Sequence, residues 1–143
     1  MSNPESALWA YVRAGMRGRW HATRHEDCAT AGVPDVSYGL RGRCGWIELK
    51  KLTRVAKKPD AFFKIHSLTR EQVAFLQWRG RVGGCGCWLL VQIGEAVARR
   101  EFFLFHWSVI KKLRDGVDKR QLPGIAKARW IGRIPWDDFA KLI

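Results

Sequence analysis

The chain lacks a continuous apolar run of the roughly 18 residues that a spanning helix needs, and it lacks a basic-then-apolar leader. Membrane insertion and secretion are therefore not expected, and the reading is a soluble, cytoplasmic protein. Acidic residues are scarce: 13 Asp and Glu stand against 26 Lys and Arg, a net charge of +13. Such an excess opposes compaction, because like charges repel, and it favours a polyanionic partner. Nucleic acid comes first, since every neutralised phosphate releases counterions; an anionic membrane surface is the rival. Cysteines are few (Cys28, Cys44, Cys85 and Cys87), and a single glycine separates the last two, too close for a zinc-ribbon knuckle. A zinc site would need Cys28 and Cys44 or a histidine to converge, and His21, His25, His66 and His106 show no ligand spacing. Reduced, mostly buried thiols are the plainer expectation. There is no internal repeat and no low-complexity segment.

What is present is a globular composition. The 143 residues are 47% hydrophobic and include eight tryptophans, enough to bury a core within one domain. Trp9, Trp46 and Trp88 are expected in that core, with little to support base stacking by Trp130 or Trp136. Leu8, Trp9, Val12 and Met16 fall on one face of a helix over 4–16, which Ser2 or Asn3 can cap and Pro4 can open. Strands are predicted over 20–27, 35–40 and 45–52, joined by short Gly-rich turns as an antiparallel meander. A basic loop over 53–66 follows, then a helix over 70–79 capped by Ser67 or Thr69. An apolar strand over 87–93, a strand over 101–105, a short helix over 107–113, a strand near Trp130 and Ile131, and a helix from Trp136 complete the order. The class is α/β: an α-β-β-β-α-β core, about 4–105, with a C-terminal extension over 106–143.

Glu48 and Lys50 stand two apart on the best strand, so they share a face while Leu49 points the opposite way. Asp35 opens the preceding strand and approaches Glu48 if the two strands pair. Two carboxylates that close repel unless a cation lies between them. Hard oxygen donors, with the Leu49 carbonyl as a further ligand, select Mg²⁺ or Mn²⁺. Such an ion suits phosphodiester hydrolysis, with Lys50 placed to handle the nucleophilic water or the phosphate charge. The basic run Lys51, Arg54, Lys57 and Lys58 adjoins this group, and Arg41 and Arg43 occupy the turn between the two strands; these are the expected backbone-phosphate contacts.

Pro34-Asp35 followed by Glu48-Leu49-Lys50 resembles the signature of the PD-(D/E)xK nucleases, nearest to the VRR-NUC and the phage and archaeal Holliday-junction-resolvase-like branches. Thr69-Arg70-Glu71-Gln72 at the start of the second helix, and Gly83-Gly84 before an apolar strand, extend the likeness over about residues 4–94. The resemblance implies a restriction-endonuclease-like core, a mixed central sheet flanked by helices. It implies an Mg²⁺-dependent DNA endonuclease selective for branched DNA, a homodimer if the substrate is a four-way junction, and no small-molecule cofactor. Compact size resembles phage proteins, which would place it in a host cytoplasm. It also gives Gln72 a supporting catalytic role and calls for a third carboxylate. Glu5 on the first helix and Glu26 after the first strand compete for that place, and the hairpin geometry puts Glu26 ahead.

Each residue has a plainer reading as well. Asp35 can be a turn residue after Pro34, and Glu48 with Lys50 an exposed strand pair. Glu5 can complete a capping box with Ser2, Gln72 one with Thr69, and Glu26 can pair with Arg24 or Arg41. The alternatives at the level of function are a nicking, flap or restriction-type endonuclease, a non-catalytic DNA-binding module on the same fold and, more remotely, an RNA-directed protein.

Overall fold

Pro4 in the first turn and the Asn3 side chain, which accepts the Glu5 amide at 3.0 Å, start α1 (Pro4–Gly15). Its Leu8, Trp9 and Val12, with Met16 just beyond, are buried. In the computed structural model, which describes residues 3–26 and 29–143, this stripe covers one face of a central sheet. Ser2, the alternative cap, lies outside the described residues, as do Asp27 and Cys28.

The meander forms as the alternation predicts. β1 (His21–Arg24), β2 (Val36–Leu40) and β3 (Arg43–Leu52) pair antiparallel in sequence order. The β2–β3 turn is Arg41-Gly42, with φ of 49° and 79°, the doubly positive geometry that matches strand twist in a tight hairpin. A two-residue β4 (Phe62–Phe63) follows, then α2 (Arg70–Gly83) and β5 (Gly86–Ile93). β5 lies parallel to β3, and a parallel pair needs a crossover, which α2 supplies. β6 (Glu101–His106) pairs antiparallel with β5. One 3-10 turn (Trp107–Val109), α3 (Ile110–Asp115), β7 (Val117–Asp118), a second 3-10 turn (Lys119–Gln121), α4 (Leu122–Ile125), β8 (Ala128–Ile131) and α5 (Trp136–Leu142) complete the chain.

The result is a six-stranded mixed sheet in the order β1-β2-β3-β5-β6-β8, with helices on both faces. α1 and α5 pack through Leu8, Val12 and Phe139 onto Ile47, Leu49, Leu90 and Leu104. α2 and α3 pack through Val73, Leu76, Ile110 and Leu113 onto Leu89, Val91, Phe103 and Phe105 on the opposite face. β5 is therefore buried on both sides, which is why its sequence is an unbroken apolar run.

Several boundaries differ from expectation. The first strand ends at Arg24, and α2 runs on to Gly83. The segment 53–66 is not wholly loop: Phe62–Phe63 pairs antiparallel with Val117–Asp118 as a second, two-stranded sheet. Two-residue strands carry no period, so sequence pattern has no purchase on them. β8 hydrogen-bonds to β6, and Phe139 and Ile143 lie in the α1-side core, so the last sixteen residues complete the sheet and its cover. Trp9 and Trp88 are buried as expected, whereas Trp78 on α2 is exposed. Trp130 and Trp136 pack on Phe139. No helix among the described residues is long and apolar enough to cross a membrane.

Candidate active site

The last β2–β3 pair at this end of the hairpin is Val36 with Ile47, which sets Asp35 one step beyond, level with Glu48. There the ladder stops and a side chain takes over. Asp35 Oδ2 accepts the Leu49 amide at 2.8 Å, continuing the edge bonding that β2 no longer provides. In a strand the N–H and C=O of one residue leave along the same edge, so the Leu49 carbonyl also faces the Asp35 side.

Glu48 and Lys50 are not an exposed strand pair; they retain only 1% and 6% of their accessible surface. They lie on the α2 face of β3, while Leu49 and Ile47 point to the α1 side. Lys50 Nζ is 3.1 Å from Glu48 Oε1 and donates to the Ser67 carbonyl at 3.0 Å. Gln72 Nε2 donates to the same Glu48 oxygen at 2.7 Å. Gln72 also closes the capping box of α2: its Oε1 accepts the Thr69 amide at 2.9 Å, and Thr69 Oγ1 accepts the Gln72 amide at 3.1 Å. Gln72 thus caps α2 with one end of its amide and contacts Glu48 with the other.

The electrostatics follow from burial. The Glu48 carboxyl is pushed up to about 8, first by loss of solvent, then by the charge of Asp35, against the pull of Lys50. Asp35 is also raised by burial; the Leu49 amide and Lys50 counter that, Glu5 raises it further and Arg24 lowers it. Among the described residues Glu48 Oε2 is buried with no partner at hydrogen-bond distance, although the Asp35 backbone amide lies near enough to the carboxyl to favour its charged form. An orphaned carboxylate oxygen beside a second buried carboxylate costs free energy unless a proton or a cation neutralises it. The oxygen-only donor set of Asp35, Glu48 and the Leu49 carbonyl fits a hard divalent ion such as Mg²⁺ or Mn²⁺. Among the described residues, no three His, Cys, Asp or Glu side chains converge closely enough to hold a metal by themselves, so backbone or water oxygens would complete such a sphere.

The two competitors for the third carboxylate are placed differently. Glu5, in the first turn of α1, is half-buried, and its charge reaches Asp35. Glu26 is held near the surface, its side chain 76% exposed and 3.7 Å from Arg24 Nε. Arg24 in turn donates to Ser6 Oγ at 3.1 Å, which ties β1 to the start of α1 beside Glu5.

The basic residues divide into two groups. Arg41 and Arg43 sit at the far end of the hairpin, roughly 20 Å from Asp35 at strand rise, and Arg43 donates to the Ala140 carbonyl at 3.1 Å. Lys51 pairs with Glu95 at 3.3 Å, while Arg54, Lys57 and Lys58 are exposed on the segment that leaves β3. Thr69, not the alternative Ser67, caps α2; Ser67 instead holds Lys50 through its carbonyl, a backbone acceptor that leaves no side-chain signature. Cys44 Sγ and Cys85 Sγ lie 4.0 Å apart, and burial pushes the Cys87 thiol up to about 12. Cys28 lies outside the described residues.

No family model matches the chain, and no curated protein matches it by sequence. Among solved structures it is similar to Hjc, a Holliday junction resolvase from the archaeal hyperthermophile Archaeoglobus fulgidus. The TM-score is 0.56 at 12% identity, over 97% of this chain and 98% of that one. At that identity the likeness is one of fold: the chain has the mixed α/β, restriction-endonuclease-like architecture of that resolvase, with a six-stranded sheet between helices.

Proposed function

We propose that the chain is a metal-dependent DNA endonuclease that hydrolyses phosphodiester bonds and prefers branched DNA. The observation that carries this reading is the buried Glu48 carboxylate, level with Asp35, with one oxygen orphaned and the other held by Lys50 and Gln72. A buried carboxylate in that state is costly unless a proton or a cation neutralises it, which supports a cation at this site.

In this reading Asp35, Glu48 and the Leu49 carbonyl hold Mg²⁺ or Mn²⁺, with Glu5 as the outer carboxylate in preference to Glu26. When bound, the ion supplies Lewis-acid polarisation of the scissile phosphate and a water of lowered pKa. Lys50 uses two of its three ammonium hydrogens on Glu48 and Ser67, and the third is left for the attacking water or a phosphate oxygen. Gln72 fixes the rotamer of Glu48. Lys51, Arg54, Lys57 and Lys58 line the approach, with Arg41 and Arg43 a second phosphate contact further along the duplex. The net charge of +13 supports the polyanionic substrate. The fold neighbour's description as a Holliday junction resolvase supports four-way DNA as the substrate, and with it a homodimer that cuts two strands symmetrically.

The test is a panel of four-way junction, flap, nicked and linear duplex DNA incubated with Mg²⁺, with Glu48→Gln as the control. Cleavage of the junction by the native chain and none by the variant is the expected result. Equal cleavage by both would remove Glu48 from the site. No cleavage of any substrate with Mg²⁺ or Mn²⁺ would overturn the nuclease reading.

A further inference from the structure

A hollow of about 390 Å³ opens beside the Lys50 end of the site, between the segments 52–56 and 62–67. We infer that this hollow is a subsite for one unpaired nucleotide of a DNA strand, with its base stacked on Phe62 and its phosphate held by Arg54 and Lys64. The inference rests on the reading of the chain as a DNA-directed nuclease and deepens it, because it names what part of a branched substrate is recognised.

Position comes first. Ser67 lines the hollow, and its carbonyl is the acceptor for Lys50 Nζ at 3.0 Å, so the hollow begins one residue from the buried acid–lysine pair. A nucleotide seated there would be a near neighbour of a phosphate at Glu48 and Lys50.

The lining is amphipathic in the way a nucleotide requires. Leu52, Val55 and Phe63 supply apolar walls, and Arg54 and Lys64 supply charge. Among the described residues neither Arg54 nor Lys64 forms an ion pair. The nearby acids are already engaged: Asp115 by Lys111, with Lys64 acting on it only through its charge, and Asp118 by Arg120. The volume is within the range of small-ligand sites, about 300–1,000 Å³.

Phe62 is the decisive side chain. It is 68% exposed, which is unusual for phenylalanine in a folded chain. Yet its ring is seated rather than loose. It lies against Gly116, where the backbone has φ of 113° and where any β-carbon would overlap the ring. The β4–β7 pair, Phe62 with Asp118 and Phe63 with Val117, holds the two segments together. The Cζ end of the ring is thus seated on glycine while most of the side chain stays exposed. That is the form of a stacking platform, and a base within a continuous duplex cannot reach it, because its faces are occupied by its neighbours. An unpaired nucleotide, or one unstacked where strands part at a branch point, can.

The test is binding without metal, in EDTA, to two duplexes of equal length, one fully paired and one carrying a single unpaired 2-aminopurine nucleotide. Phe62→Ala should weaken binding of the unpaired substrate by about 5- to 150-fold, the range for loss of one stacked base, and change binding of the paired duplex less than about twofold. The native chain should alter 2-aminopurine fluorescence and Phe62→Ala should not. Phe62→Leu keeps an apolar side chain over Gly116 without the π face and should show the same selective loss, which separates stacking from misfolding. Equal weakening on both duplexes, or none on the unpaired one, would overturn the subsite. Failure of the nuclease reading has a different appearance: the Phe62-dependent preference would persist while no DNA was cut in Mg²⁺.

Discussion

Gln72 Nε2 donates to Glu48 Oε1 at 2.7 Å while the other end of the same amide caps α2 through Thr69. Helix nucleation and the rotamer of the central carboxylate are therefore one structural event. The link can be cut at either end. Thr69→Ala removes the hydroxyl cap alone and should cost about 1 kcal/mol of stability while leaving cleavage unchanged. Gln72→Ala removes both functions and should lower stability by at least as much and also slow cleavage. Urea unfolding beside a cleavage assay reads both quantities; identical behaviour of the two variants would refute the link.

Glu48 makes the metal-free protein pH-dependent in a direction opposite to an ordinary paired acid. Its carboxyl is raised from 4.5 to about 8 in the folded chain. Between those values the unfolded chain releases the proton and the folded chain retains it, so stability is fully present below the unfolded value and is lost as pH rises through the folded one. The slope approaches about 1.4 kcal/mol per pH unit within that window. Glu48→Gln should flatten the profile and be the more stable protein at pH 8. Thermal unfolding in EDTA across that range measures it, and parallel curves for the two proteins would contradict the burial argument.

Lys50 lies 3.1 Å from Glu48 Oε1 and, in the proposed mechanism, keeps one donor for the water or the phosphate. Lys50→Ala should reduce cleavage by about 10²–10³, the usual cost of losing one charge-stabilising group, with junction binding within a few fold. Because Lys50 pulls the Glu48 proton down, its removal should also displace the residual activity to higher pH. A pH–rate profile with an unchanged acidic limb would argue against that role.

Glu5 and Glu26 are separable by substitution. Glu5 acts on Asp35, whereas Glu26 lies at the surface beside Arg24. Glu5→Ala should raise the Mg²⁺ concentration needed for half-maximal cleavage, and Glu26→Ala should change it little. The reverse order would restore Glu26 as the third carboxylate.

The basic segment after β3 should dominate the salt dependence of binding. Replacing Lys57 and Lys58 together by Ala should weaken all DNA substrates alike and reduce the slope of log affinity against log salt by about 2. A selective loss on one substrate would mean that these lysines read structure instead of phosphate.

Much of this architecture was legible because it rests on local pattern. The α1 stripe, the alternation through β2 and β3, the Thr69–Gln72 cap and the unbroken apolar β5 are each dictated by nearest neighbours and period. The two-residue strands β4 and β7 were not legible, since they exist only where two distant segments meet. Nor was the burial of the 48–50 pair, because period 2 places Glu48 and Lys50 on one face without saying that α2 covers that face.

The residues themselves determined that Glu48 and Lys50 share one strand face and that Asp35 opens the neighbouring strand; the two-residue Arg41-Gly42 turn, which sets Asp35 level with Glu48, belongs to the folded hairpin. Tertiary structure alone decided their chemistry. Packing of α2 onto β3 removes water from Glu48, supplies Ser67 and Gln72 as partners, and strands one carboxylate oxygen. Desolvation and proximity across long sequence separations have no local signature, and they turn a common strand motif into a buried acid–lysine cluster, the basis of the proposed cation site.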